Sequence, residues 1–328
     1  MKKYAAYGIG NAMVDIIIEL SDADLSQLNI PKGSARIIEE SESKKFFERF
    51  KNHPKKIVSG GSTANTFAAL GHLGIPCLYC GCVGNDEFGD LFEKQLIDEG
   101  VTVRLARSQH NTGHVFTFVT PDGQRSFAGC FGAAREIHKG LVTEEDVEQC
   151  AVIYIEGYLL EHEAGRESAI KAMDLGKRFG AKTALDIGSP HLIAAIHRDL
   201  KTILKTYVDI LFLNEDEAKE FTGQEGDNAV QMLRHLVKLV ILKLGDKGSL
   251  VCSEDSSVSI PCFYVKPLDT TGAGDLFAAG FLYGLAKGKT PERAAHIGSY
   301  VASKIVTVLG GRLEKNIKND VEEFLKTI

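Results

Sequence analysis

The segment Asp269-Thr270-Thr271-Gly272-Ala273-Gly274-Asp275 places two carboxylates, two hydroxyls and two glycines directly ahead of the apolar run Leu276-Phe277-Ala278-Ala279-Gly280-Phe281-Leu282. Small residues passing straight into a helical apolar pattern predict a helix N-terminus over Gly272–Asp275. The first amides of a helix have no intrahelical partner and sit at the positive end of its dipole, so such a turn binds anions. Glycine lets the backbone approach a phosphate without a side chain in the way. An Asp in that first turn is kept ionised by the dipole, which suits a base facing a hydroxyl. The plainer reading is a helix cap. A cap needs one such residue, whereas this stretch supplies several.

Two other phosphate-loop patterns fail on spacing. Gly288-Lys289-Thr290 ends like a nucleotide-binding loop, but the earlier glycine that loop requires falls on Tyr283. Thr290-Pro291-Glu292 reads instead as the cap and first turn of a new helix. Gly8-x-Gly10 opens like a dinucleotide fingerprint, but its third glycine position holds Met13.

The elements that must position the Asp269–Asp275 segment follow from a recurring pattern of short apolar runs, each followed by a helical stretch. Candidate strands are Tyr4–Gly10, Cys77–Val83, Val152–Glu156, Lys182–Asp186, Ile210–Asn214 and Leu239–Leu244. Candidate helices are Ser62–Leu73, Phe88–Glu99, Ala164–Phe179 and Leu192–Lys205. This alternation predicts an α/β fold: a doubly wound, mostly parallel sheet with helices on both faces and ligands at the carboxyl ends of its strands. Two regions break the alternation, about 16–39 and about 101–135. The second contains Val115–Thr120, Pro121-Asp122-Gly123 and Arg125–Cys130, a hairpin pattern. Both leave from the ends of early strands, and together they predict a small β lid inserted into a single domain spanning 1–328.

Composition narrows the function classes. The chain has 328 residues, 44% hydrophobic and 25% charged, with a formal charge of −6. Mild acidity argues against a nucleic-acid partner. No apolar run reaches the roughly 18 residues that span a bilayer, and the N-terminal stretch lacks a secretory pattern. The expectation is a cytoplasmic protein, a monomer or homodimer, without a membrane partner. The seven cysteines then read as reduced thiols. Cys77, Cys80 and Cys82 fall in a buried strand pattern without a second ligand cluster, so they do not predict a metal site.

The Asp269–Asp275 motif with its following helix resembles the second hallmark of the ribokinase-like (PfkB) carbohydrate and nucleoside kinases. Gly60-Gly61-Ser62-Thr63-Ala64-Asn65, with Leu73-Gly74 and Gly81-Cys82-Val83-Gly84-Asn85-Asp86-Glu87-Phe88-Gly89, resembles the first. The resemblance covers essentially the whole chain. It implies an ATP-dependent kinase that phosphorylates a primary hydroxyl, with Mg2+ and a β lid over the acceptor. Asp275 becomes the general base, and Gly272, Ala273 and Gly274 the anion hole. Asn214 and Glu217 match the family's Asn-x-x-Glu, with Glu217 reaching magnesium through water. Gly245, Gly248 and Thr270 fall on the ATP side. The position two before Gly245, commonly threonine, is Lys243, which either sets a positive charge near the ATP phosphates or reaches solvent. Asp269 and Thr271 match positions beside a monovalent cation, K+, that many members hold mainly through backbone carbonyls.

Asn11 and Asp15 lie at the end of the first strand, where an amide and a carboxylate can grip vicinal hydroxyls. Gly61 and Asn65 complete the expected sugar contacts. Gly10-Asn11-x-x-x-Asp15 and the Gly60–Asn65 block look most like adenosine kinases and their bacterial relatives. The lid offers Phe116, Phe118, Phe127 and Phe131 as stacking partners for a purine or as packing for the lid itself. Arg125 and Arg135 are open between phosphate contact and surface. The leading expectation is a nucleoside kinase, adenosine favoured, with a ribose- or fructose-like sugar kinase as the alternative. An intact Asp275 and anion hole argue against a non-catalytic sensor.

Overall fold

The run Cys77–Gly84 is buried at all eight positions. A strand achieves that only inside a sheet covered on both faces. The computed structural model describes residues 2–313 and 315–327. Its strands are Tyr4–Ile9 (β1), Met13–Glu19 (β2), Ala35–Ile37 (β3), Lys55–Gly60 (β4), Cys77–Gly84 (β5), Thr102–Ser108 (β6), Gly113–Val119 (β7) and Arg125–Cys130 (β8), followed by Cys150–Glu156 (β9), Lys182–Asp186 (β10), Ile210–Asn214 (β11), Leu239–Lys243 (β12), Ser249–Cys252 (β13) and Ser257–Ile260 (β14).

The large sheet has the order β14-β13-β12-β11-β10-β9-β1-β5-β6. From β12 to β6 every pairing is parallel, and β13 and β14 close one edge antiparallel. Alternate residues of each central strand feed two separate cores. Tyr7, Ile9, Ile153, Ile155, Leu211 and Leu213 pack on one face with Met173 and Leu200. Tyr79, Tyr154, Phe212 and Ile241 pack on the other with Phe67, Phe281 and Ile297. Helices Glu163–Arg178 and Pro190–Tyr207 therefore cover the first face, and Ser62–His72, Ala273–Ala286 and Pro291–Ile305 the second. This is the doubly wound α/β arrangement the alternation predicts. Thr290 caps Pro291–Ile305 with Pro291 in the first turn, so Gly288-Lys289-Thr290 is a helix start and not a phosphate loop.

A second sheet, in the order β3-β8-β7-β2-β4, has its own core. Ile16, Ile18, Phe116, Phe118, Ala128 and Cys130 meet Leu25, Phe46 and Phe50, carried by residues 22–26 and the helix Glu40–Arg49. Its hairpin turns at Gly123, whose φ of 82° suits the Asp-Gly pair. The expected lid segments shift in two places. Thr102–Ser108 pairs in parallel with Leu78–Gly84 and is an edge strand of the large sheet. Lys55–Gly60, lying outside both expected insertions, pairs antiparallel with Met13–Ile18 and closes the lid's other edge.

Cys77, Cys80, Cys82, Cys130, Cys150 and Cys252 are buried and unpaired, as is the half-buried Cys262. Among the described residues no His/Cys/Asp/Glu cluster is arranged to hold a metal ion, and no helix is long and apolar enough to cross a membrane.

Candidate active site

Four successive parallel strands end on polar residues: Glu156 on β9, Asp186 on β10, Asn214 on β11 and Lys243 on β12. Because the strands are parallel, these side chains line one edge of the sheet. Glu156 is 2% exposed and Asp186 4%, so each needs a partner. Lys243 Nζ donates to both oxygens of Asp186, at 2.9 and 2.9 Å. A Cβ on Gly274 would lie 3.2 Å from the same ammonium, which places Lys243 against the first turn of Ala273–Ala286. Burial acts to discharge Lys243, but Asp186, Glu217 and Asp275 outweigh it and its pKa is raised. Lys243 therefore turns into the site, with 17% of its side chain exposed. It is the positive centre of a group of carboxylates.

Asn214 and Glu217 hold each other. The Asn214 backbone N–H and Nδ2 donate to the two Glu217 oxygens at 2.9 Å each, and Glu217 N donates to Asn214 Oδ1 at 2.9 Å. This capping box starts the helix Glu215–Thr222. Burial, reinforced by the charge of Asp186 and opposed by Lys243, pushes Glu217 up to about 7.

At the start of Ala273–Ala286, Gly272 has a φ of 78°. A Cβ there would stand 2.7 Å from Gly311 Cα, so glycine is required twice over. The helical ladder begins with Leu276 N donating to Gly272 O at 2.9 Å. The Gly274 and Asp275 amides precede it and form the open turn expected of an anion hole. Asp275 Oδ1 accepts from Ser62 Oγ at 2.7 Å and Oδ2 from Asn65 Nδ2 at 2.9 Å. Burial nonetheless raises its pKa against those two bonds, with Asp186 adding to the rise. Burial thus outweighs the two hydrogen bonds to the carboxylate. The result is a more basic carboxylate than a surface Asp.

The predicted sugar contacts gather beside Asp275 with different duties. The Asn11 backbone N–H and Nδ2 both donate to Glu156 Oε1, at 2.8 and 2.9 Å. Glu156 Oε2 accepts from Thr63 N at 2.8 Å. Glu156 thus ties the end of β1 to the start of Ser62–His72, and the Asn11 amide nitrogen is spent on it. Gly61, with φ 91°, would bring a Cβ within 2.4 Å of the Asn11 carbonyl oxygen. Asn65 gives its amide nitrogen to Asp275. Asp15 lies over Gly60, where a Cβ would meet its Oδ2 at 2.5 Å. Burial lifts Asp15 to about 6, with Arg312 and Arg125 opposing and Asp275 adding.

The small sheet reaches the same space through Arg125. Its guanidinium lies 2.6 Å from Asp269 Oδ2 and donates to Thr271 Oγ1 at 3.1 Å. Asp269 also accepts from Thr271 N at 3.0 Å and Gly310 N at 2.6 Å. Its carboxylate is therefore already neutralised by Arg125. A monovalent cation beside Asp269 and Thr271 would draw on their backbone carbonyls and not on this carboxylate. Strand parity sorts the phenylalanines. Phe116 and Phe118, 1% and 0% exposed, turn away from the site and pack edge-on against Phe46. Phe127 pairs across the sheet with Thr117, which pairs with Ile17, so it shares the face of Asp15 and Arg125. Phe131 follows β8 and carries the Arg135 guanidinium over its ring at 5.0 Å. Arg135 is exposed and stacked on Phe131. Beyond β12, Gly245 and Gly248 take φ values of 61° and 94° in a tight turn, and Thr270 is exposed beside the turn at Gly272.

Glu156, Asp186 and Arg312 are site residues that sequence reasoning passed over. Glu156 and Asp186 carried a usable signal, since each is the polar residue terminating a predicted parallel strand. Arg312 carried none, because its partners Asn65 and Glu99 lie far away in sequence.

The description pfkB family carbohydrate kinase matches residues 40–317. This chain belongs to that family. It is an ATP-dependent phosphotransferase acting on a small polar substrate of nucleoside or sugar type. The crystal structure of adenosine kinase from Sinorhizobium meliloti is similar at 30% identity, covering 98% of this chain and 99% of that one with a TM-score of 0.90. A probable sugar kinase protein from Rhizobium etli superposes with a TM-score of 0.92 at 26% identity, covering 99% of each chain. A ribokinase of Arabidopsis thaliana is 30% identical over 285 residues, 82% of this chain and 72% of that protein. Family members generally use ATP with Mg2+, and the donor set here fits that ion. Glu217 and Asp186 are buried oxygen donors that share the influence of Lys243, a set that suits a hard cation keeping much of its water.

Proposed function

We propose that the acceptor is a nucleoside, adenosine foremost, whose ribose 5′-hydroxyl receives the γ-phosphoryl group of ATP. The observation that supports this reading is the inward face of the lid sheet. Across one row Val58, Asp15, Val115 and Gly129 are paired in register, with Ile37 at the end. Across the next row lie Lys56, Ile17, Thr117 and Phe127. One carboxylate is thus set among mostly apolar side chains, and Ile37 is 51% exposed. A ribose diol suits Asp15, and a planar base suits the apolar surface beside it. A simple sugar would leave that surface uncovered.

In the mechanism, Asp275 takes the proton of the 5′-hydroxyl as its oxygen attacks the γ-phosphorus and the bond to the departing ADP oxygen breaks. The amides of Gly274 and Asp275, with the turn begun at Gly272 and Ala273, receive the charge on the transferring group. Lys243, held protonated by Asp186 and Glu217, supplies one positive charge at that end of the site. Glu217, positioned by Asn214, would hold Mg2+ through water. The ion supplies charge neutralisation along the ATP phosphates. Gly245, Gly248 and Thr270 line the ATP side, and the lid excludes water through Arg125 and Phe127.

The test is ATP consumption across adenosine, inosine, cytidine, ribose and fructose, compared as kcat/KM. Adenosine should lead clearly. The relatives described as ribokinase and sugar kinase keep one rival in view: comparable kcat/KM for ribose or fructose would make the protein a sugar kinase.

A further inference from the structure

Asn65 is bonded on both ends, and the end facing away from Asp275 meets a side chain that no motif includes. Arg312 Nε donates to Asn65 Oδ1 at 2.8 Å. Arg312 Nη1 in turn pairs with Glu99, just past the end of the helix Glu87–Asp98. The two charged side chains are only 10% and 16% exposed. We propose that Arg312 is a positioning residue for phosphoryl transfer, holding Asn65 so that its NH2, and not its oxygen, faces Asp275.

The chemistry permits one orientation. A guanidinium has donors and no acceptor, an ionised carboxylate has acceptors and no donor, and an amide has one end of each kind. With Arg312 on one side and Asp275 on the other, the oxygen must face Arg312 and the nitrogen Asp275. Without Arg312, the amide could rotate and set its oxygen against the carboxylate. Burial gives this ordering weight, since hydrogen bonds to a charged group strengthen where water is excluded. The local backbone serves the same end. A Cβ on Gly311 would lie 2.8 Å from Asn65 Nδ2, and Gly311 Cα also backs Gly272 of the anion hole. Residues 310–312 therefore brace both the base and the phosphoryl site.

Other charges also face this point. Asp186 and Lys243 act on Asp275 from the strand ends. Asp15 on the lid sheet and Glu156 on β9 are coupled to Asp275, and Arg312 acts on Asp15 as well. A pH profile alone would mix these influences, so a double-mutant cycle is needed to isolate the Arg312–Asn65 link.

The proposal rests on Asp275 being the base, and the experiment separates the two claims. Initial rates are measured with ATP and adenosine, or with ribose if that acceptor leads, for wild type, Arg312→Met, Asn65→Ala and the double variant. Arg312→Met should lower kcat about 10- to 100-fold, the worth of one hydrogen bond to a charged group. KM for ATP should stay within about 2-fold, since the change acts on one acceptor-side bond. The acid limb of the kcat profile should move to higher pH, because losing a donor and a nearby cation makes Asp275 easier to protonate. The double variant should lose no more than the worse single one, and Arg312→Lys should recover part of the rate.

Multiplying losses in the double variant, or an unmoved acid limb, would overturn the proposal. If Arg312→Met does not fold, Glu99→Gln keeps the guanidinium but loosens its grip. It should cost about 2- to 5-fold with the same direction of limb movement, and an unmoved limb again counts against the proposal. Asp275→Asn is assayed alongside. Full turnover there removes the base itself, whereas lost turnover with independent Arg312 and Asn65 effects removes only their link.

Discussion

The strand-end edge of the large sheet and the inner face of the lid border the same space but are built in opposite ways. At the edge, each charged group is tied to a polar or oppositely charged partner: Lys243 to Asp186, Glu217 to Asn214, Glu156 to Asn11, and Asp275 to Ser62 and Asn65. On the lid, Asp15 sits among Val58, Val115 and Ile17, and its cationic influences, Arg312 and Arg125, act from the side. The first arrangement fixes dipoles and charges before substrate arrives, which is what electrostatic catalysis requires. The second offers area and one carboxylate, which is what recognition of an acceptor requires. On the proposed function, chemistry and specificity are therefore separable, and mutations on the two sides should fail differently.

The largest effect belongs to the edge. Asp275→Asn should lower kcat about 10²- to 10⁴-fold, the usual loss for a general base. ATP affinity and Tm should change little, because Asn fills the same space and keeps one acceptor for the Ser62 and Asn65 donors. Stopped turnover with intact ATP binding, measured by calorimetry, is the expected result. A well-folded Asp275→Asn protein turning over at the wild-type rate would dissolve the contrast between the two regions.

That contrast also explains what the sequence could reveal. The edge was legible because parallel strands buried on both faces are continuous apolar runs, and their ends are marked by the first polar residue. Lys182–Asp186 and Ile210–Asn214 were located to the residue for this reason. The helix start at Gly272 was legible for a similar reason, since small residues before an apolar helix leave few alternatives. The lid was less so. Its strands are short and half-exposed, Lys55–Gly60 shows exposed lysines before a buried end, and Thr102–Ser108 gives no local sign of which sheet it joins. Which phenylalanine faces the site depends on strand register, and a slip of one residue would have exchanged Phe116 and Phe127. Arg312 is invisible for the same reason at longer range: its meaning comes from contacts with Glu99 and Asn65.

A smaller effect, and one opposite in sign for stability, is expected at Asp15. Its carboxyl titrates near 6 in the fold against an ordinary 3.8. The folded state therefore binds a proton more tightly than the unfolded chain, and stability falls as pH rises between those values. Below both values the site costs nothing; above about 6 the full cost is present. A shift of this size corresponds to about 1–3 kcal/mol after allowance for partial solvent contact. Asp15→Asn should raise Tm at pH 8 and barely change it at pH 4. The same variant should lower kcat/KM for the acceptor about 10- to 100-fold, through loss of a charged hydrogen bond to the diol. Chemical denaturation at the two pH values checks the first claim. Equal stabilisation at both would mean that Asp15 is not strained by burial.

The finest test of the lid face is Phe127→Ala. Phe127 shares a face with Asp15 and Arg125 and is half-buried, so its ring is available to a base while its neighbours hold the sheet together. An aromatic contact adds about 0.5–1.5 kcal/mol beyond its buried area, which predicts a loss of about 2- to 10-fold in kcat/KM for adenosine. Ribose has no base to place there, so its kcat/KM should stay nearly constant and the ratio between the two should shrink. Kcat/KM is the proper measure because the lid can alter closure as well as binding. Phe116→Ala is the matched control. Its ring packs against Phe46 and Phe47 inside the lid, so it should lower Tm without changing the adenosine-to-ribose ratio. Phe131→Ala tests the neighbouring position, where Arg135 already covers the ring, and should move the ratio less than Phe127→Ala. If Phe116→Ala changes the ratio and Phe127→Ala does not, the lid presents its other face to the acceptor, and the apolar surface that favours a nucleoside lies on the wrong side.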